Sequence, residues 1–245
     1  MIRNLKVLIA AAMALAAFGA LSASAHAAEE KFHCTVEPCR VTLAPDTEAG
    51  TTTAHHVLVV KGKTSSGTEA SASFTCNQLS GEATTSTKTS TELTFTNLKY
   101  ENTAGEQKCK IGASETLTIN FTSCDYKFQS TGGSTSTAQV HLQCSTAGDG
   151  IDLSLNGTLC LKVTPFTSTG LGYHDSGIGG AKKIVTATVN VAVPAAAVDL
   201  VNVGNVNCAG LGLASVTSAT FTTGNTLVKA ETDSCSVVAA EVWFE

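Results

Sequence analysis

Thr116-Leu-Thr-Ile-Asn-Phe-Thr122 decides the fold class. Leu117, Ile119 and Phe121 fall on one side of an extended chain, with Thr116, Thr118, Asn120 and Thr122 on the other. That period of two belongs to a strand with one packed face and one face in water. The same alternation recurs in Ala70, Ala72, Phe74 and Cys76 against Ser71, Ser73 and Thr75. It appears again in Leu93 and Phe95, and in Val185, Ala187, Val189, Val191 and Val193. Turn-forming stretches separate these runs at 63–67, 81–90, 131–134, 177–180 and 224–225. Asn156-Gly157, set between Leu153/Leu155 and Leu159/Leu161, is a hairpin signal, because both turn positions need a positive φ. Beyond the first 28 residues no segment has helical periodicity. The expected fold is all-β, an antiparallel β-sandwich.

Composition agrees. Of 245 residues only 14% are charged and 5% aromatic, and beyond residue 28 there are 36 Thr and 20 Ser. Thr at that density favours strands over helix, so a helical bundle and a doubly wound α/β enzyme both fit poorly.

The first residues form a leader. Arg3 and Lys6 precede an apolar run from Val7 to Leu21, and Ala25-His26-Ala27 supplies small residues for cleavage. This is the pattern of a secretory signal peptide, with an apolar core too short to span a bilayer comfortably. The expected organisation is a signal peptide over 1–27, with cleavage near Ala27, and two β-sandwich stretches over 28–123 and 124–245. The product is then secreted or held in the cell envelope, with no membrane insertion of the mature chain. Without the leader's two bases the net charge goes from −5 to −7, and no basic run exceeds Lys182-Lys183. Nucleic acid is therefore not an expected partner.

Nine cysteines lie beyond the leader: Cys34, Cys39, Cys76, Cys109, Cys124, Cys144, Cys160, Cys208 and Cys235. In an exported protein they read as disulfides, and an odd count leaves one over. Cys39-Arg-Val-Thr-Leu-Ala-Pro45 parallels Cys160-Leu-Lys-Val-Thr-Pro165, and Phe74-Thr-Cys76 parallels Val206-Asn-Cys208. This register makes two related halves and suggests the pairs Cys34–Cys39, Cys76–Cys109, Cys144–Cys160 and Cys208–Cys235, with Cys124 unpaired. Spacing does not choose among connectivities, and Cys109–Cys124 is a rival.

Lys31-Phe-His-Cys34, Thr53-Ala-His-His-Val57 and Ser73-Phe-Thr-Cys-Asn-Gln-Leu-Ser-Gly81 resemble a group of uncharacterised, exported, disulfide-bearing proteins of actinobacteria. Gly172-Tyr-His174 resembles them more loosely. The group places a cysteine just after Tyr-Glu-Asn, whereas here Tyr100-Glu101-Asn102 is followed by Thr103. The resemblance implies an exported all-β protein and brings no activity, catalytic residue or ligand.

Chemistry-bearing motifs are sparse. There is no G-x-S-x-G nucleophile turn. His174-Asp175-Ser176 are sequence neighbours, whereas triad members normally meet by folding. His55 and His56 would face opposite ways on a strand, so they cannot readily share a metal ion. Cys34 and Cys39 with His33 lack the second ligand pair of a zinc site. Asp149-Gly150-Ile151-Asp152 carries only part of a calcium loop. The expectation is a non-enzymatic structural or binding module of the cell envelope or extracellular space, without cofactor or metal. Its partner would be a protein or glycan of the cell surface. The alternatives are an exported hydrolase without a local motif, in which His174, Asp175 or His141 would converge with Ser or a carboxylate, and a sugar- or calcium-dependent adhesion module.

Overall fold

The computed structural model describes residues 31–35, 37–45, 56–101, 109–111, 115–130, 138–178, 181–223, 226–230 and 242–244. Residues 1–30, where a signal peptide is expected, and Cys235 lie outside these, as do the side chains of His174, Asp175 and Ser176. The strands are β1 (Phe32–Cys34), β2 (Cys39–Pro45), β3 (His56–Lys63), β4 (Glu69–Cys76), β5 (Gln78–Thr85) and β6 (Thr89–Ser90). Next come β7 (Glu92–Glu101), β8 (Cys109–Ile111), β9 (Glu115–Phe121), β10 (Cys124–Gln129), β11 (Ala138–Cys144) and β12 (Ile151–Leu155). The last are β13 (Thr158–Val163), β14 (Phe166–Ile178), β15 (Ala181–Val193), β16 (Val198–Leu200), β17 (Ser215–Thr223), β18 (Thr226–Ala230) and β19 (Val242–Phe244). Helix among the described residues is confined to two 3₁₀ segments, Ala195–Ala197 and Val206–Leu211. The protein is all-β, and every ladder is antiparallel.

The long strand β15 organises two curled sheets. Its first part pairs with β14 on one edge and β18 on the other. From β14 the ladders run through β11, β10, β7, β5 and β2 and return to β18. Eight strands thus form a closed ring. The last part of β15, Asn190–Val193, pairs instead with β17. A second sheet continues from there through β3, β4, β8, β9, β12, β13 and β16, and it curls until β16 lies beside β17. Each sheet takes strands from both sides of residue 124. The stretches 28–123 and 124–245 therefore do not sort into separate sheets.

Period two decides what fills the ring. Val41, Leu43, Leu93, Phe95, Val140, Leu142, Leu171, Val185, Ala187 and Val189 all point inward and are buried. Arg40, Thr42, Glu82, Thr84, Thr94, Lys127, Gln139 and Thr167, which alternate with them, reach solvent. Apolar groups inside and polar groups outside is the reverse of a membrane-spanning barrel. An aromatic column fills the interior: Phe95 and Phe128 have centroids 5.0 Å apart, and Phe128 and Tyr173 6.3 Å. Phe32 completes it, edge-on to Tyr173 at 5.0 Å. Phe32 belongs to a small β19-β1-β6 sheet that lies against β14, β15 and β18.

The hairpin expected at Asn156-Gly157 joins β12 to β13, with φ of 48° and 78° at the two turn residues. Gly170 has a different task. Its φ is +109°, and a Cβ there would sit 2.3 Å from the Asn190 carbonyl oxygen. Only glycine lets β14 press this closely on β15 at the point where β15 changes sheets.

Four disulfides are formed: Cys34–Cys39, Cys76–Cys109, Cys124–Cys144 and Cys160–Cys208. The first two are the pairs the spacing suggested. The other two correct it. Cys124 is not the unpaired cysteine, because it stands directly opposite Cys144 in the β10–β11 ladder. Cys144, of the ring strand β11, is thereby taken by Cys124 and not by Cys160 of β13. Cys160 instead bonds Cys208 and ties the 3₁₀ segment Val206–Leu211 to β13. Loops of 20 to 48 residues closed this way contribute about 3–4 kcal/mol each in the chain-entropy model.

Two outcomes follow. Gly170→Ala should destabilise by about 2–4 kcal/mol through strain and overlap, read as a fall in Tm of about 5–15 °C. Thiol blocking of the unreduced protein followed by peptide mapping should label one cysteine, Cys235, with Cys124 recovered linked to Cys144. Label at Cys124 would contradict this pairing.

Candidate functional site

The interior offers little room. A cavity of about 40 Å³ lies between the sheets, lined by His56, Tyr100, Tyr126, Phe166, Phe221 and neighbouring aliphatic groups. That accommodates a water or two and falls far short of the 300–1,000 Å³ of ligand pockets. Around it the aromatic rings interlock. Tyr100 stacks on Phe121 at 5.4 Å, Phe121 meets Tyr126 edge-on at 5.6 Å, and His56 meets Tyr100 at 5.5 Å. The Tyr100 and Tyr126 hydroxyls share a hydrogen bond of 3.2 Å. His56 is thus a buried strand histidine within an aromatic cluster, while His55 lies outside the described residues.

The outer face of the ring carries the larger concavities. The β5–β7 register slips between Ser80 and Glu82, so that Asn97 and Leu98 of β7 stand opposite Gly81 alone. This is a β-bulge, and Asn97 takes a φ of +52° within it. Gly81 makes room: a Cβ there would lie 2.7 Å from Leu98 Cδ2. A trough of about 500 Å³ opens on one side of the bulge, walled by Thr42, Ser80, Glu82, Asn97 and Lys99. On its other side a hollow of about 240 Å³ is lined by Thr96, Asn97, Phe121, Ser123 and Asp125. Leu98, 6% exposed, forms the floor of both.

Within this groove Asn97 Nδ2 donates to Glu82 Oε1, and Thr96 Oγ1 donates to the Glu82 carbonyl at 3.4 Å. Thr42 pairs with Glu82 across β2–β5, and Glu82 with Thr96 across β5–β7. Asp125 of β10 follows, adjoining the Phe95–Tyr126 pair. A row of outward polar side chains therefore crosses four neighbouring strands. Burial pushes the Asp125 carboxyl above its ordinary value.

The sequence offered no motif for this site. A signal was nevertheless present. Apolar positions fall at Leu93 and Phe95 and then at Leu98 and Tyr100, so the period of two slips by one residue at the bulge.

The other candidates separate. His174, Asp175 and Ser176 are successive positions of β14, and their side chains lie outside the described residues. His141 Nδ1 lies 2.8 Å from Thr167 Oγ1, a base and a hydroxyl in hydrogen-bond reach. Its Nε2 has no hydrogen-bond partner, so no carboxylate orients the ring as a triad requires. Burial, and then Lys127, lower the His141 pKa, with Glu92 opposing them. In the Asp149–Asp152 segment, Lys162 Nζ sits 3.5 Å from Asp152 Oδ1 and donates to the Gly148 carbonyl at 3.1 Å. The Lys162 ammonium thus sits beside one of the two carboxylates of this segment, Asp152. Among the described residues no cluster of three or more His, Cys, Asp or Glu could hold a metal ion, and no helix is long and apolar enough to cross a membrane.

No family model, curated protein or solved structure matches this chain.

The tyrosines give a sharp pH signature. All three in the sequence, Tyr100, Tyr126 and Tyr173, are buried, and burial raises each phenol, that of Tyr126 to about 12. The unfolded chain releases these protons near the ordinary value of 10.0, so it binds fewer protons than the folded chain above that pH. Folding stability is unaffected by these groups below pH 10.0 and should fall as pH rises from there to about 12. Tyrosinate absorbance is expected to rise only together with loss of the β-sheet circular dichroism. A phenol ionising in the folded state would contradict the burial.

Proposed function

We propose that this chain is an exported, non-enzymatic binding module that acts in the cell envelope or outside it. Its partner is a glycan or protein of the cell surface, held on the outer face of the ring. The observation that carries this reading is the filled interior. Chemistry on a small molecule usually takes place in a concave, water-excluding pocket, and the two interior cavities around His56 measure only about 40 and 20 Å³. The groups able to bind anything stand on the outside, on strands held by ladders on both edges. Such a surface is rigid, which favours recognition without reorganisation.

Four disulfides support an oxidising compartment, and the leader pattern over 1–27 supports export. The hydrolase alternative draws little support from His141, whose one close hydroxyl belongs to Thr167 and lies on the open outer face.

Two measurements on the disulfide-intact protein test the proposal. A fluorophosphonate probe should leave no covalent label, and washed insoluble envelope material should retain the protein saturably. Labelling of a hydroxyl side chain, or release of soluble product from the envelope material, would overturn it.

A further inference from the structure

We infer that the groove straddling the Asn97–Leu98 bulge is a binding site for a neutral oligosaccharide. This rests on the binding-module reading and names its ligand class. The argument starts from what the groove can satisfy. Its walls offer two carboxylates, Glu82 and Asp125, one ammonium, Lys99, the Asn97 amide, and the hydroxyls of Thr42, Ser80, Thr96 and Ser123. Acceptors and donors are interleaved along one row, and a sugar hydroxyl, which donates and accepts at once, can pair with either kind.

Competing ligand classes fit less well. An anion would meet Glu82 and Asp125, and a cation would meet Lys99. An extended peptide would need a free strand edge, but β2, β5, β7 and β10 are each hydrogen-bonded to a neighbour on both sides. An apolar ligand would find little, because Leu43, Leu98 and Cys124 are each at most 6% exposed. Phe121 lines the hollow but is half-buried, its ring stacked on Tyr100 and met by Tyr126, so the site relies on hydrogen bonds rather than on an open aromatic platform.

Dimensions agree with a chain of sugars rather than one. The row from β2 to β10 crosses three inter-strand gaps, about 14 Å at the usual sheet spacing. The trough and hollow, about 500 and 240 Å³, lie end to end along it with Asn97 common to both. The site is shallow, so affinity is expected in the range of about 0.1–10 mM, set by several modest contacts.

The test uses the disulfide-intact protein, ¹⁵N-labelled, titrated with neutral tetrasaccharides of β-linked glucose, xylose and N-acetylglucosamine and of α-linked glucose. At least one should shift the backbone amides of Gly81, Glu82, Asn97, Leu98 and Asp125 in a saturable way. Asn97→Gly removes the amide, keeps a residue suited to a φ of +52°, and should weaken binding at least about tenfold with Tm little changed. Asp125→Asn should weaken it in the same titration. No shift with any of the four at about 10 mM, shifts confined to another surface, or unchanged affinity in Asn97→Gly would each overturn the assignment and leave the binding-module proposal standing. Appearance of new reducing ends during the titration would instead overturn the non-enzymatic reading.

Discussion

β15 lies between β14 and β18 over residues 184–187 and turns to β17 over 190–193, and the rest of the structure depends on that. Its inward face carries Val185, Ala187, Val189, Val191 and Val193 in unbroken alternation, each at most 4% exposed. At one end the strand closes the eight-stranded ring between β14 and β18, and at the other it founds the second sheet through β17. The switch is possible because Gly170 lets β14 approach the Asn190 carbonyl and because Ser168 Oγ donates to the Ala192 carbonyl at 2.9 Å. The two sheets therefore share a backbone as well as a core.

Local features of this fold were legible in the sequence because they follow from local sterics. Period two placed Phe74, Leu93, Phe95, Leu117 and the valines of β15 inside, and there they are. Asn156-Gly157 gave its hairpin because few other residue pairs tolerate two positive φ angles. What failed was non-local. Alternation says which face of a strand is buried but nothing of which strand lies beside it. The interleaving of the two halves and the partners of Cys124, Cys144, Cys160 and Cys208 were for that reason out of reach. Cys124 and Cys144 become neighbours only once β10 and β11 are known to pair.

The groove was missed for a related reason. None of its residues forms a motif, and each alone is an ordinary strand residue. They become a site when a register slip turns Asn97 into a left-handed position and sinks Leu98 beneath the surface. Regular sheet gives a nearly flat exterior, and the bulge supplies relief without opening the core. Local shape and a varied set of hydrogen-bonding groups thus arise in one place, on a scaffold whose interior is already full.

The order of strands along the ring has a consequence for how such a chain is made. β18 (Thr226–Ala230) lies between β2 (Cys39–Pro45) and β15 in the ring, although it comes long after β2 in the chain. A chain that emerges N-terminus first presents β2 with one bare edge until β18 has emerged, and the ring cannot close before then. Until then the free edge of β2 is open to mispairing, so the native ring depends on two strands far apart in the chain finding each other.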